Sequence, residues 1–305
     1  MNSLASPDFA ATMREVAAAV ETELERLLPS LDDPAAKLNE AMRYACLGGG
    51  KRLRALLVIA GADLFQVPRG RSLRAAAAAE MLHAYSLVHD DLPCMDDDDL
   101  RRGRPTVHKA FDEATAVLAG DALQTEAFAV LADPQTHPDA AVRIALTAAL
   151  ARASGARGMV GGQAIDLAAE QRAAAGQPLS FDEIRLLQSR KTGALIAFSA
   201  EAGAILGGAG QEARAVLRDY AGDIGLAFQI ADDILDEEGN AAELGKAVGK
   251  DAAAGKATFV GLLGLAEAKA KARALTNSAK ARLAGFGPAA GVLQELAEFV
   301  ITRRS

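Results

Sequence analysis

The chain has 305 residues, a formal net charge of −7, 50% hydrophobic residues and only 4% aromatics, with no tryptophan. An acidic balance argues against general nucleic-acid binding, which needs an excess of basic side chains to neutralise phosphates. No stretch of about 20 uncharged apolar residues occurs, so no membrane span is expected. Two cysteines, Cys46 and Cys94, show neither metal-type spacing nor a disulfide framework, and positions 1–14 lack the basic start and apolar core of a signal peptide. A cytoplasmic location is the simplest expectation.

Alanine and leucine lead the helix propensity scale, and both are abundant. In chain order, apolar periodicity predicts helices over 13–28, 35–47, 52–64 and 72–92. The fourth of these is apolar on all sides until His89, the signature of a buried helix. Further helices are predicted over 112–132, 139–155, 180–193 and on to 206, 212–235, 258–283 and 289–301. Strand-like alternation is missing, and no repeat or long Pro/Gly/Ser linker divides the chain. The expectation is an all-α protein with one domain over 1–305.

Two acidic motifs interrupt this apolar pattern. The first runs His89-Asp90-Asp91-Leu92-Pro93-Cys94-Met95-Asp96-Asp97-Asp98-Asp99 and leads into Leu100-Arg101-Arg102-Gly103. The second is Phe228-Gln229-Ile230-Ala231-Asp232-Asp233-Ile234-Leu235-Asp236. Clustered like charges on a helix gain nothing unless a cation neutralises them. Oxygen ligands without nearby Cys or paired His point to Mg²⁺, which completes its shell with water and substrate phosphate. Asp232 and Asp236, four apart, share a helix face. Asp90 and Asp96 are six apart, and Pro93 should break the helix and let Asp96 return beside Asp90. A single acidic run is usually a solvated turn; two, each on an apolar helix and each followed by a Gly- and charge-rich loop (101–109 and 237–256), favour a ligand site with loops closing over it.

Basic segments stand ready to face the acidic ones. Gly48-Gly49-Gly50-Lys51-Arg52-Leu53-Arg54 ends one helix and opens the next, so backbone N–H groups beside cations make an anion site. Arg52 after Lys51 excludes a P-loop. Arg101 and Arg102 point roughly 100° apart if helical, enough to serve two anions.

In these motifs and their order, from about position 41 to 265, the chain resembles the trans-isoprenyl diphosphate synthases, and among them the bacterial synthases of farnesyl diphosphate. The resemblance implies a large helical bundle around a central cavity. It also implies a Mg²⁺-dependent prenyltransferase that condenses isopentenyl diphosphate with dimethylallyl or geranyl diphosphate to a fifteen-carbon product. By the same resemblance Asp90, Asp91, Asp96, Asp232 and Asp236 bind metal, three Mg²⁺ per site. Lys51, Arg54, His83 and Arg102 would bind isopentenyl diphosphate. Arg101, Lys191, Thr192, Gln229, Lys246 and Lys256 would bind the allylic diphosphate, with Lys191 and Thr192 beside the allylic carbon. Gln163 and Asp166 would orient Lys191, and a homodimer is implied. Taken alone, Lys191-Thr192 is an ordinary polar pair and His83 an ordinary core histidine.

Chain growth must run along the helix that carries Asp90. Tyr85 lies about 7.5 Å down the axis from Asp90, with Ser86 beside it, so the ring is placed to floor the pocket. A different floor would give a ten- or twenty-carbon product. A non-catalytic diphosphate-binding subunit is disfavoured by the intact Lys51, Arg54, Arg101 and Lys191. Terpene cyclases are disfavoured by the lack of an Asn/Ser/Glu second motif, and a di-iron bundle needs Glu-x-x-His twice where only Glu80–His83 fits. The Arg303-Arg304 pair is expected to be solvated rather than in the site.

Overall fold

In the computed structural model, residues 7–177, 179–238 and 258–303 are described. They form α1 (Pro7–Leu27), α2 (Ala36–Cys46), α3 (Leu53–Asp63), α4 (Arg69–Asp90), a minimal antiparallel hairpin β1 (Leu100–Arg101) and β2 (Arg104–Pro105), α5 (Val107–Ala110), α6 (Glu113–Ala132) and α7 (Ala140–Ser154). There follow α8 (Met159–Ala174), α9 (Phe181–Gln188), a π-helical turn (Ser189–Gly193), α10 (Ala194–Leu206) and α11 (Gln211–Glu238). α12 (Phe259–Leu263), α13 (Leu265–Arg282), a 3₁₀ segment (Leu283–Ala290) and α14 (Gly291–Thr302) complete the chain. The protein is all-α, as its periodicity predicts.

The differences from expectation have local causes. α8 escapes the periodicity reading because its sequence mixes Gly161, Gly162 and short apolar side chains without a clear polar face. The helix expected over 258–283 is split at Gly264, whose φ of 78° a helix cannot hold. Side-chain caps set other starts: Asp112 accepts from Thr115 N at 2.7 Å, and Ser180 with Glu183 forms a reciprocal capping box.

α4 is the axis of the bundle. Its alanine run, Ala75 to Ala79, is fully buried and lets α3 and α6 approach closely along opposite sides. Two charged residues are buried on it, and both are satisfied. Arg74 reaches Thr136 and Asp133 after α6, at 2.9 and 3.0 Å. Glu80 accepts from Arg52 at 3.1 Å and from Ala55 N at 3.1 Å. Arg52, in a left-handed conformation (φ 50°), also donates to Glu21 at 2.7 Å and to the Cys46 carbonyl at 2.5 Å. One buried guanidinium thus ties α1, α2, α3 and α4 at the turn that carries Lys51 and Arg54. Breaking such a network by removing one partner strands the others in low dielectric.

α3 and α10 cross with their backbones almost touching: a Cβ on Gly203 would stand 2.1 Å from Ala62 N. Neighbouring backbone cannot swing aside as a side chain can, so Gly203→Ala must part the two helices. The expected cost is about 1–3 kcal/mol, read as a lower urea midpoint with unchanged slope.

Candidate active site

A cavity of about 370 Å³ opens between the C-terminal half of α4, the N-terminal half of α8 and the π-helical turn. Arg54, His83, Tyr85, Asp90, Gln163, Lys191 and Thr192 all line it. Segments more than 130 positions apart in sequence therefore meet around one space.

The first acidic motif stands at its mouth. α4 ends at Asp90, two residues before the expected end. Past Pro93 the chain folds back, and Asp96 N donates to the Asp90 carbonyl at 2.8 Å. Asp97 absorbs the reversal at φ 50°. The return of Asp96 beside Asp90 is the one its spacing around Pro93 predicts. Burial pushes the Asp90 carboxyl up to about 6; Lys191 opposes the shift and Asp96 adds to it. Asp91 points away from this pair. It is 3% exposed and accepts from Arg101 Nε at 2.8 and 2.9 Å and from Arg101 NH2 at 2.5 Å. Its oxygens are thus committed to orienting a guanidinium.

Asp232 and Asp236 lie on the last turns of α11. Arg303 docks here from the end of α14: NH2 is 2.5 Å from Asp232 Oδ1, and the guanidinium carbon is 3.7 Å from the centre of the Phe228 ring. Its side chain is only 6% exposed, so the expectation of a solvated arginine is overturned for Arg303. A charge pair and a stacked aromatic offset part of what burial costs it, and burial still lowers its pKa. Arg304 falls outside the described residues, as do Lys246 and Lys256. Among the described residues no three acidic, His or Cys side chains form a ready cation cage.

The basic side is built on two short loops. The glycine turn between α2 and α3 presents Lys51 and Arg54, and Arg102, at φ 53° in the hairpin turn, reaches across to donate to the Gly49 carbonyl. Tyr44 seats the hairpin by donating to the Pro105 carbonyl at 2.8 Å, while Arg104 stacks on its ring at 4.1 Å. Arg101 and Arg102 therefore diverge, one to Asp91 and one to the glycine turn. His83 sits among these cations; burial and then Arg54, Arg102, Arg101 and Arg52 hold its pKa well below the usual value, so it is neutral at pH 7.

Lys191 projects from the π-helical turn, and its ammonium is 2.5 Å from Asp166 Oδ2 on α8. π turns insert one extra residue into a helix, which re-aims the side chains there. Gln163, 9% exposed on the same helix, keeps both amide atoms buried without partners. Arg54 Nε, on the same cavity wall, is likewise buried and unpaired. Buried polar atoms are normally bonded, and a concentration of unpaired ones around a single cavity marks where a polar ligand belongs. Gln229, half-buried on α11, does not line this cavity. Tyr85, 5% exposed, lies below Asp90 with its ring edge-on to His89, 5.7 Å between centres, and Ser86 donates its hydroxyl to the His83 carbonyl at 2.9 Å.

An all-helical bundle with an acidic turn and basic side chains around one cavity, and a second acidic motif at the end of α11, fits the class of prenyl diphosphate enzymes. The pattern described as Polyprenyl synthetase matches residues 35–285. Farnesyl diphosphate synthase of Escherichia coli is 44% identical over 97% of this chain and 99% of its own length. A probable farnesyl diphosphate synthase of Bradyrhizobium diazoefficiens is 46% identical over 93% of this chain and 85% of its own. Among solved structures, an FPP/GFPP synthase of Zymomonas mobilis superposes with a TM-score of 0.88 at 51% identity, covering 96% of this chain and 99% of that one. The chain belongs to the polyprenyl synthetase family.

Because the Asp90 carboxyl is raised from 3.8 to about 6, its charged form is disfavoured in the fold. Its stabilising effect is complete below about pH 4 and is lost as pH rises through 6. In protein stripped of divalent ions, Asp90→Asn should therefore melt several degrees above wild type at pH 7.5, equivalent to about 2–3 kcal/mol. The two curves should converge at pH 4, as thermal denaturation at both pH values will show.

Proposed function

We propose that this chain is a farnesyl diphosphate synthase, acting as a single domain in the cytoplasm and making a fifteen-carbon product. The observation that carries the reading is Tyr85. Its buried ring lines the cavity below Asp90, where it would stop an allylic chain anchored at the acidic mouth.

Lys51, Arg54, His83 and Arg102 are assigned to the diphosphate of isopentenyl diphosphate. Planar guanidinium groups grip phosphate bidentately, so lysine should not replace Arg54 or Arg102 freely. A neutral His83 adds a hydrogen bond without further positive charge. Arg101, held in place by Asp91, and Lys191, held by Asp166, are assigned to the allylic diphosphate, together with Thr192, Gln229, Lys246 and Lys256. Asp90, Asp96, Asp232 and Asp236 suit Mg²⁺ by their oxygen donors, and Asp90, raised by burial with a smaller push from Asp96, would gain most from a neutralising cation. Three Mg²⁺ ions, when bound, would neutralise the diphosphate and make it a better leaving group.

The allylic C–O bond breaks and the electron pair leaves with the diphosphate, toward Lys191 and Arg101. The double bond of isopentenyl diphosphate then attacks the allylic carbon. One proton is lost from the adduct, which restores a double bond in a chain five carbons longer. The departing diphosphate is the base nearest that proton. Apolar walls from Met95, Met159 and Leu167 keep water from the cation. Two copies of the chain are proposed to associate; exposed Val117 and Leu118 on α6 and Ile144 on α7 supply apolar surface for it.

Given Mg²⁺, isopentenyl diphosphate and either dimethylallyl or geranyl diphosphate, the purified protein should yield a fifteen-carbon alcohol after dephosphorylation, sized by mass spectrometry. Tyr85→Ala should add a twenty-carbon product. Failure to extend either primer would overturn the reading. A folded, active Tyr85→Ala variant with unchanged products would remove Tyr85 as the floor.

A further inference from the structure

One wall of the cavity is a histidine seated in a notch. His89 lines the cavity one turn above Tyr85, and its Nε2 is 3.0 Å from the Val117 carbonyl of α6. A carbonyl only accepts, so Nε2 carries the proton in this contact. The notch is Gly120. A Cβ built there would lie 2.1 Å from His89 Nε2, 2.4 Å from Cδ2 and 2.8 Å from Cε1. Nothing else in contact with that position is as close, and the colliding atoms are the far end of a side chain that can turn. Tyr85 blocks the ring from below, with the two rings edge-on at 88°. α6 blocks it from the side. The remaining free direction is into the cavity that the ring already borders.

Resting on the reading of the site as a prenyl-elongating one, we propose that His89 and Gly120 together set the width of the channel above the Tyr85 floor. They thereby decide whether a ten-carbon primer is accepted. His89 is a specificity residue that borders the hydrocarbon, and Gly120 positions it. In this arrangement Tyr85 limits how far the chain extends, and the notch governs whether the second isoprene unit can pass. A ten-carbon primer fills more of the space between the acidic mouth and Tyr85 than a five-carbon one, so a ring turned into that space obstructs the longer primer more.

The test is a pair of variants scored by the ratio of kcat/KM for geranyl to that for dimethylallyl diphosphate. Gly120→Ala should lower this ratio at least tenfold and release ten-carbon product. The double variant Gly120→Ala/His89→Ala, which has no ring to displace, should return the ratio to the wild-type value or above. A merely structural role for Gly120 would depress both primers together and would not be rescued by removing a side chain. If Gly120→Ala does not fold, the double variant decides alone, since a ratio below wild type there overturns the proposal. An unchanged ratio in Gly120→Ala also overturns it while leaving the functional reading intact. A wild type that extends neither primer overturns that reading, and this inference with it.

Discussion

Everything at the site is registered on α4, and α4 has no freedom to slide. From Ser72 to Val88 it is buried on nearly every side, and its two buried charges are each tied to a different neighbour. Arg74 binds the segment after α6 at one end, and Glu80 binds Arg52 and the start of α3 in the middle. A slip of one residue would rotate these charges by roughly 100° into apolar packing. His83, Tyr85, Ser86, His89 and Asp90 follow on the same helix, so their places in the cavity are set by the same anchoring. The helix then stops where the acidic motif must turn back on itself.

Cations and carboxylates already meet at the site. The glycine turn and the β1–β2 hairpin collect Lys51, Arg54 and Arg102, Asp96 returns beside Asp90, and Asp232 lies close enough to Lys51 to act on its charge. Three ion pairs aim the groups that would meet diphosphate: Arg101 on Asp91, Lys191 on Asp166 and Arg303 on Asp232. Fixing a charged side chain before substrate arrives lowers the ordering cost at the moment of reaction. The cost appears as a raised Asp90 pKa and as buried polar atoms without partners on the cavity wall.

Much of this was legible in the residues. The helices over 52–64, 112–132 and 139–155 match their expected bounds almost to the residue, because helix-forming residues fill them and the last two are bounded by caps and breakers at Asp112, Asp133, Asp139 and Gly155. The acidic motifs announce themselves by putting like charges where helix physics opposes them. α8 was not legible, since two glycines and a run of small residues carry no 3.6-residue contrast, and Gln163 and Asp166 could be placed only by resemblance. Arg303 was misjudged because a terminal basic pair is usually solvated. No local pattern signals that a ring 75 positions earlier, Phe228, will stack against it.

By itself the sequence determined that the protein is helical, where its acidic and basic motifs fall, and which side chains bear charge, because these follow from residue type and short-range spacing. Only the tertiary structure decided that Asp90 lines the cavity while its neighbour Asp91 serves an arginine, and that a glycine on α6 makes room for a histidine on α4. Those outcomes depend on which helices touch and at what depth. Contact between segments distant in the chain is a property of packing, and packing is not written in any one of the segments it joins.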